Sequence, residues 1–430
     1  MEAETETREQ LLEVVIEKMV YGGEGLARTP EGVLLMQGVL AGETVQALAG
    51  ERHQGVRRAQ VKQLLTSSPQ RVVPQCAHYG QCGGCHYQHT SYEQQLELKK
   101  QILIECFERI GKLTQLNILP TISANPWQYR NRSRWQIMND ASGFAMGYHE
   151  HSSHQLCPVK ECPISSPYLN ATIEILRNGS GKELFPEGKT ELEVFASDAD
   201  RSGLATVWAF GPPPMGFGER LMRAVPGLES VCWINKSTKQ RIGWGPGAIT
   251  YHVGDYHFHI GHEAFFQVNR WLTAQMIEAV IGDIKGREVL DLYAGVGLFS
   301  LPLARRFERV TAVENDAEAA KNLQTNLGVV AQQANAVRKN VEQFLMTTDQ
   351  RWDAVIADPP RLGMSAPVRE NLLRVKPNKL VYVSCDPATL ARDLKEFVGS
   401  SAYQIVSVQM IDQFPQTFHI ETVVHLERRE

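Results

Sequence analysis

REVLDLYAGVGLFSLPLARRFERVTAVE, residues 287–314, reads as strand, glycine turn, helix and strand. REVLDLY is a short apolar run stopped by Gly295 and Gly297, and RVTAVE is a second run rich in β-branched residues. The pattern continues outward through NAVRKN (335–340), DAVIADPP (353–360) and KLVYVSC (379–385), with helical stretches between the runs. Short apolar strands alternating with helices predict a parallel, doubly wound, Rossmann-like α/β domain over 263–430. YQIVSVQMIDQFP (403–415) and IETVVHLER (420–428) close the chain. A tight connection joins these two strands, so the last strand must run antiparallel.

Sheets of this kind bind ligands outside the carboxyl ends of their strands. Asp291, Gly295 and Gly297 allow a tight turn into a helix N-terminus, where absent side chains let a ligand approach the backbone. There is no complete G-x-G-x-x-G, which disfavours a pyrophosphate cofactor. Glu314 ends the second strand, where an acid commonly takes ribose hydroxyls. A glycine turn plus a strand-end acid describes an adenosine site, and without a phosphate loop its natural occupant is S-adenosylmethionine.

Asp358 ends the fourth strand, and Pro359 and Pro360 stiffen the loop behind it. Cys385 ends the fifth strand, on the same edge. Glu421 opens the antiparallel seventh strand and therefore returns to that edge. The plain reading of Cys385 is a small apolar residue closing a strand, and that of Asp358 is a turn cap. An acid opening a buried strand is costly unless it faces a cavity or a partner. A thiol and two carboxylates around one nucleoside suit a specific reaction. The C5 carbon of uracil is a poor nucleophile, but thiolate addition at C6 makes it an enolate carbon that can take a methyl group from a sulfonium. The adduct keeps a hydrogen at C5 that a base must remove before the thiolate leaves. The target base must also leave its stack.

Upstream textures differ. Residues 10–66 carry short β-rich runs separated by Gly and acidic turn residues, which suggests a compact barrel of the oligonucleotide-binding type. His53, Arg57, Arg58 and Lys62 form a basic cluster there, readable as a binding or a solvated face. Residues 70–262 are rich in Cys, Gly, Pro and aromatics, with strand-like runs and one helical insert, SYEQQLELKKQILIECFERIGKL (91–113). In YRNRSRWQI, Arg130, Arg132 and Arg134 alternate, so a strand would set all three on one face. Three cations there repel unless something anionic meets them, which favours a phosphate-facing surface.

At 430 residues, two or three domains are expected. An apolar content of 43% and a charged content of 21% are ordinary for a globular protein, and a net charge of −4 neither advertises nor excludes nucleic-acid binding. No apolar run reaches a membrane span, and MEAETETREQ lacks a signal-peptide layout. A cytoplasmic monomer without a membrane partner is expected. Its eight cysteines would then be thiols, metal ligands or catalysts.

FFQVN (265–269), DLYAGVGLFSLPLA (291–304), ADPPRLG (357–363), VSCDPATLARDL (383–394) and HIETV (419–423) occur in the order seen in the RNA uracil-5-methyltransferase family. The chain resembles its branch with an N-terminal TRAM domain and an iron–sulfur cluster, over nearly its whole length. The resemblance implies Cys385 as nucleophile and Glu421 as the base that removes the C5 proton. It sets Gln267, Tyr293, Glu314 and Asp358 along the S-adenosylmethionine site, with Asn340 near the adenine. It also implies metal ligation by Cys76, Cys82 and Cys85. Among Cys106, Cys157 and Cys162, the match of SHQLCPVKECPI (153–164) selects Cys162 as the fourth ligand. By count, four thiolates suit zinc or a [4Fe–4S] cluster equally, and the family selects the cluster, in a structural role beside Arg130, Arg132 and Arg134. Cys232 reads as core. The implied architecture is multidomain: a TRAM-like barrel over 1–68, a central β-rich iron–sulfur and RNA-binding domain over 69–262, and the methyltransferase domain over 263–430. Helix 91–113 is expected to pack on the last of these. The implied substrate is large-subunit ribosomal RNA, with the T-loop uridine of tRNA as the alternative. An RNA-binding assembly factor without turnover is the non-enzymatic alternative, and the strand-end set fits uracil better than cytosine-5 methylation.

Overall fold

The computed structural model describes residues 10–53, 55–330 and 332–429, and the acidic run at 1–9 lies outside the described residues. The chain forms two compact units. One comprises Met1–Glu105, Glu150–Ser153 and Phe414–His419, and the other comprises Cys106–His149, His154–Gln413 and Ile420–Glu430.

In the first unit, a six-stranded sheet runs in the order Gln10–Val15, Thr44–His53, Val56–Thr66, Gly32–Gln37, Glu24–Thr29, Lys18–Val20. Its two outer strands are consecutive pieces of one segment. Ile16 and Glu17 between them bond to the Glu43 and Leu26 carbonyls, both at 2.8 Å, so the sheet closes on itself. Closure leaves no free edge along this segment. Val14, Ala27, Leu34, Met36, Val45 and Ala47 fill the interior. Helix Tyr92–Cys106 follows the cysteine-bearing loop, as its apolar spacing predicts.

The second unit holds two seven-stranded sheets. The first runs in the order Arg241–Trp244, Leu228–Asn235, Gly203–Ala209, Gly188–Ala196, Arg132–Asp140, Gly143–His149, Leu156–Pro158. All its pairs are antiparallel except that between Gly203–Ala209 and Leu228–Asn235. A hairpin, Ala248–Val253 with Tyr256–Gly261, packs its apolar face into one core with the second sheet.

The second sheet has the predicted topology. Gly286–Leu292, Phe307–Glu314, Ala334–Arg338, Ala354–Ala357 and Lys379–Ser384 are parallel. Tyr403–Ile411 and Glu421–Arg428 complete the sheet, in spatial order 3-2-1-4-5-7-6. The Glu421 strand is antiparallel to both of its neighbours. Strands covered on both faces read as continuous apolar runs, and Ala354–Ala357 is buried throughout. The turn Phe107–Gly111 ends the helical insert against helix Pro387–Gly399, where a Cβ on Gly111 would lie 3.1 Å from the Ala391 carbonyl oxygen. Among the described residues, no helix is long and apolar enough to cross a membrane.

Candidate active site

Strand register brings the thiol and the acid together. Ser384 pairs with Thr422 across the antiparallel pair, so Cys385, one residue on, faces Glu421, one residue back. Ala357 pairs with Tyr382 in parallel, which sets Asp358 on the same edge. Asp386 caps the next helix by accepting from Ala388 N–H (3.0 Å) and Thr389 N–H (2.8 Å), so Cys385 is fixed between a strand end and a helix start.

The charges are interlocked. Burial pushes the Cys385 thiol up to about 11, the Glu421 carboxyl adds to the shift, and the Arg361 guanidinium opposes it. Burial also lifts Glu421 well above the usual carboxylate range, with Asp358 adding and Arg361 opposing. Asp358 is raised to about 7, by burial and then by Asp291. Asp291 is itself raised to about 7 by burial, with Glu314 adding and the Ser300 hydrogen bond opposing. A buried thiol beside raised carboxyls stays protonated near neutrality. Arg361 is the cation that bears on both Cys385 and Glu421. The sequence reading passed over it, although its place directly after Asp358-Pro359-Pro360 was the available signal.

The glycine turn has a backbone that favours glycine. Tyr293 has φ of 61°, Gly295 56° and Gly297 94°. A Cβ on Gly297 would come within 2.9 Å of Leu323, so only glycine fits there without displacement. Glu314 accepts from Gly295 N–H at 2.9 Å and from Asp316 N–H at 2.7 Å, which ties the second strand's end to the turn. Asp291 accepts from the Ser300 hydroxyl, and its other oxygen is buried without a partner. Asn340 spends its side-chain oxygen capping helix Val341–Thr347 (2.9 Å to Glu342 N–H), leaving its amide protons for any ligand. Gln267 is buried at 6% exposure in the loop after the hairpin. Its neighbour Asn269 donates to the Gln413 carbonyl at 3.2 Å.

The arginines sort differently from their sequence pattern. Arg130 lies before the strand and donates from Nε to the Arg132 carbonyl at 2.8 Å. Arg132 turns inward, with its guanidinium 4.1 Å from the Phe195 ring centre and 2.7 Å from the Ala264 carbonyl. Arg134 is exposed, stacked 3.9 Å over Trp208 and paired with Glu191 at 2.5 Å. Glu193 lies 3.9 Å from Arg132. The repulsion that the alternation implied is therefore met inside the sheet by acids of strand Gly188–Ala196. In the barrel, Arg57 and Arg58 pair with Glu31 (2.7 Å) and Glu24 (2.8 Å). The side chain of His53 lies outside the described residues.

Cys76, Cys82 and Cys85 share one loop of the first unit, turned back by Tyr79 N–H to the Cys76 carbonyl (3.1 Å) and Cys82 N–H to the His78 carbonyl (2.9 Å). Cys82 and Cys85 line a cavity of about 140 Å³ with Tyr79, Gly80, His86 and His151. Among the described residues, no three His, Cys, Asp or Glu side chains are gathered closely enough to hold a metal ion. Cys162 belongs to the other unit, half-buried in a loop that Asn170 fixes at 2.8 Å. Cys157 is fully buried in its strand, and Cys232 is buried in its own.

Comparisons with known proteins find RNA methyltransferases. The family described as tRNA (Uracil-5-)-methyltransferase matches residues 229–429. An uncharacterized RNA methyltransferase of Halalkalibacterium halodurans is 32% identical, covering 98% of this chain and 97% of the relative. The 23S rRNA (uracil(1939)-C(5))-methyltransferase RlmD of Alkalilimnicola ehrlichii is 31% identical, over 97% of this chain and 96% of the relative. Among solved structures, the tRNA (uracil-54, C5)-methyltransferase of Pyrococcus abyssi in complex with S-adenosyl-L-homocysteine superposes with a TM-score of 0.76. It is 25% identical and covers 96% of this chain and all of that one. With sequence likeness running nearly end to end and the thiol, carboxylates and glycine turn on one sheet edge, the chain belongs to the RNA uracil-5-methyltransferase family and is an RNA methyltransferase.

Proposed function

We propose that this enzyme methylates C5 of one uridine in 23S ribosomal RNA, with S-adenosylmethionine as methyl donor. The observation that carries the substrate is the full-length likeness to the ribosomal enzyme RlmD, at 31% identity. The donor site is the glycine turn with Gln267, Tyr293, Glu314, Asn340 and Asp358 around it, and the sulfonium supplies an electrophilic methyl group there.

In this reading, the Cys385 thiol gives its proton to water as Sγ adds to C6 of the extruded uracil, and the C5–C6 π pair moves toward O4 as an enolate. C5 then takes the methyl group. Glu421 removes the remaining C5 proton, the enolate reforms the ring double bond, and the C6–S bond breaks to return the thiolate. Arg361 offsets the negative charge that both groups develop. Arg134 on Trp208, and the barrel of residues 10–66 read as a TRAM domain of the oligonucleotide-binding type, are the surfaces assigned to RNA. The central sheet that carries Arg134 is the RNA-binding part of this scheme. The likeness to the archaeal tRNA enzyme favours a second substrate, the T-loop uridine of tRNA. Mapping 5-methyluridine in a strain lacking the gene decides between them. One site lost from 23S RNA is expected, loss from tRNA instead replaces the first reading with the second, and no loss in either RNA removes both.

The cysteine loop fits a soft-metal group in its donor chemistry. Cys82, Cys85 and His86 line one small cavity, and the buried His86 Nδ1 has no partner. Cys76, Cys82 and Cys85 would supply three of the thiolates of a [4Fe–4S] cluster, whose contribution is to cross-link the loop. Protein purified without oxygen is expected to carry about four irons per chain, lost in Cys82→Ser. Stoichiometric zinc with no iron would rule the cluster out.

A further inference from the structure

The loop that leads into the catalytic strand is held in a strained shape by a buried clamp. Residues Phe414–His419 precede Ile420 and Glu421 directly in the chain, yet they pack as part of the unit that carries the barrel and the cysteine loop. Gln416 is 2% exposed and has φ of 68°, the left-handed region that a side chain other than glycine's disfavours. Such strain persists only where surrounding bonds over-determine it.

Those bonds come from two elements. Gln95, 1% exposed in helix Tyr92–Cys106, grips Gln416 twice. Its Oε1 accepts from the Gln416 backbone N–H at 3.0 Å, and its Nε2 donates to Gln416 Oε1 at 2.9 Å. The same Nε2 reaches the Tyr87 and Thr90 carbonyls, both at 3.1 Å, so one amide joins the helix, the cysteine loop's exit and the 414–419 segment. The Gln416 carbonyl accepts from His86 N–H (2.8 Å) and Tyr87 N–H (3.0 Å), the residues directly after Cys85. Lys99, fully buried one turn along the helix, donates to the Phe414 carbonyl at 3.0 Å. Every polar group of the Gln416 backbone is thereby committed, at a cost in strain that a loop serving only as a connector would not need.

We propose that Gln95 and Gln416, assisted by Lys99, are positioning residues for the base of the reaction. They fix the run-in to Glu421 so that the carboxylate reaches the C5 proton. The inference rests on the proposed role of Glu421 and extends it to a site that no catalytic motif contains. Misplacing a catalytic group by about an ångström costs up to about a hundredfold in its own step. The clamp therefore acts on proton removal and not on sulfur addition, which depends on Cys385 at another strand end.

Gln95→Leu in the full-length chain is the test, in single turnover with uridine-bearing 23S RNA fragments and S-adenosylmethionine. The expected result is covalent adduct formation within about twofold of the parent, while adduct resolution slows about ten- to a hundredfold, so that denaturation-resistant protein–RNA complex accumulates. Lys99→Met is expected to show the same signature more weakly. Resolution at the parent rate in both variants overturns the proposal, as does a fall of addition and resolution in equal proportion. Hydrogen exchange of the unsubstituted protein gives an independent reading, because the Gln416 amide must be among the slowly exchanging ones, and fast exchange across 414–419 also overturns it. A parent enzyme that forms no adduct at all would instead count against the Cys385–Glu421 reading itself.

Discussion

Cys385→Ala is expected to lower methyl transfer to RNA by roughly 10⁴-fold or more, since the step it removes has no substitute. C5 of uracil becomes nucleophilic only after something adds at C6. In the proposed mechanism that group is the Cys385 sulfur, which the strand register sets beside Glu421. The residues of the proposed donor site come from other strand ends: Glu314 holds Gly295, and Asp291 is held by Ser300. S-adenosylmethionine affinity, measured by calorimetry, should therefore stay within about threefold of the parent, a change below 1 kcal/mol. Labelled methyl incorporation into RNA gives the activity. A variant that methylates at the parent rate would sink the covalent mechanism, and one that loses donor binding as well would show that the thiol supports the pocket.

Glu421→Gln produces the opposite failure: the reaction starts and does not finish. Glutamine keeps the shape of the buried side chain, which is 5% exposed, but it cannot take a proton. Loss of a general base slows its step by about 10²–10⁴-fold. The substitution also removes the carboxyl that helps to hold the Cys385 thiol up near 11, so sulfur addition should proceed at least as readily as in the parent. Methylated RNA should consequently remain attached to the protein through denaturing electrophoresis, with the bound RNA already carrying the label. Turnover at the parent rate, or no adduct under conditions where the parent binds RNA, would remove Glu421 from the role of base.

The carboxyl-terminal sheet was legible because its information is local. The central strands Ala354–Ala357 and Lys379–Ser384 are short apolar runs with helical stretches around them, and the link of nine residues (412–420) from Tyr403–Ile411 to Glu421–Arg428 is too short for a crossover, so the end of the sheet is antiparallel. Topology then places Asp358, Cys385 and Glu421 on one edge without any knowledge of packing. The arginines were legible only in part. Their alternation correctly gave a strand over Arg132 and Arg134, but Glu191 and Glu193 reach them from a strand more than fifty residues away in the chain. Nothing local could announce that pairing. Arg361 was overlooked for a related reason, since a cation in a loop acquires meaning only when its two acidic and thiol neighbours are known.

The sequence by itself determined the doubly wound domain, the glycine turn, the strand ends that carry the thiol and acids, and the family. These follow from periodicity and from residues whose chemistry depends on position along a strand. Only the tertiary structure decided the linked protonation of Asp291, Asp358, Glu421 and Cys385, because burial and through-space repulsion set those equilibria. It also decided that Phe414–His419 leaves the unit of the strands on either side of it, held at Gln416 by Gln95. A buried amide and a left-handed backbone some 320 residues apart meet only after folding, and no pattern along the chain encodes their contact.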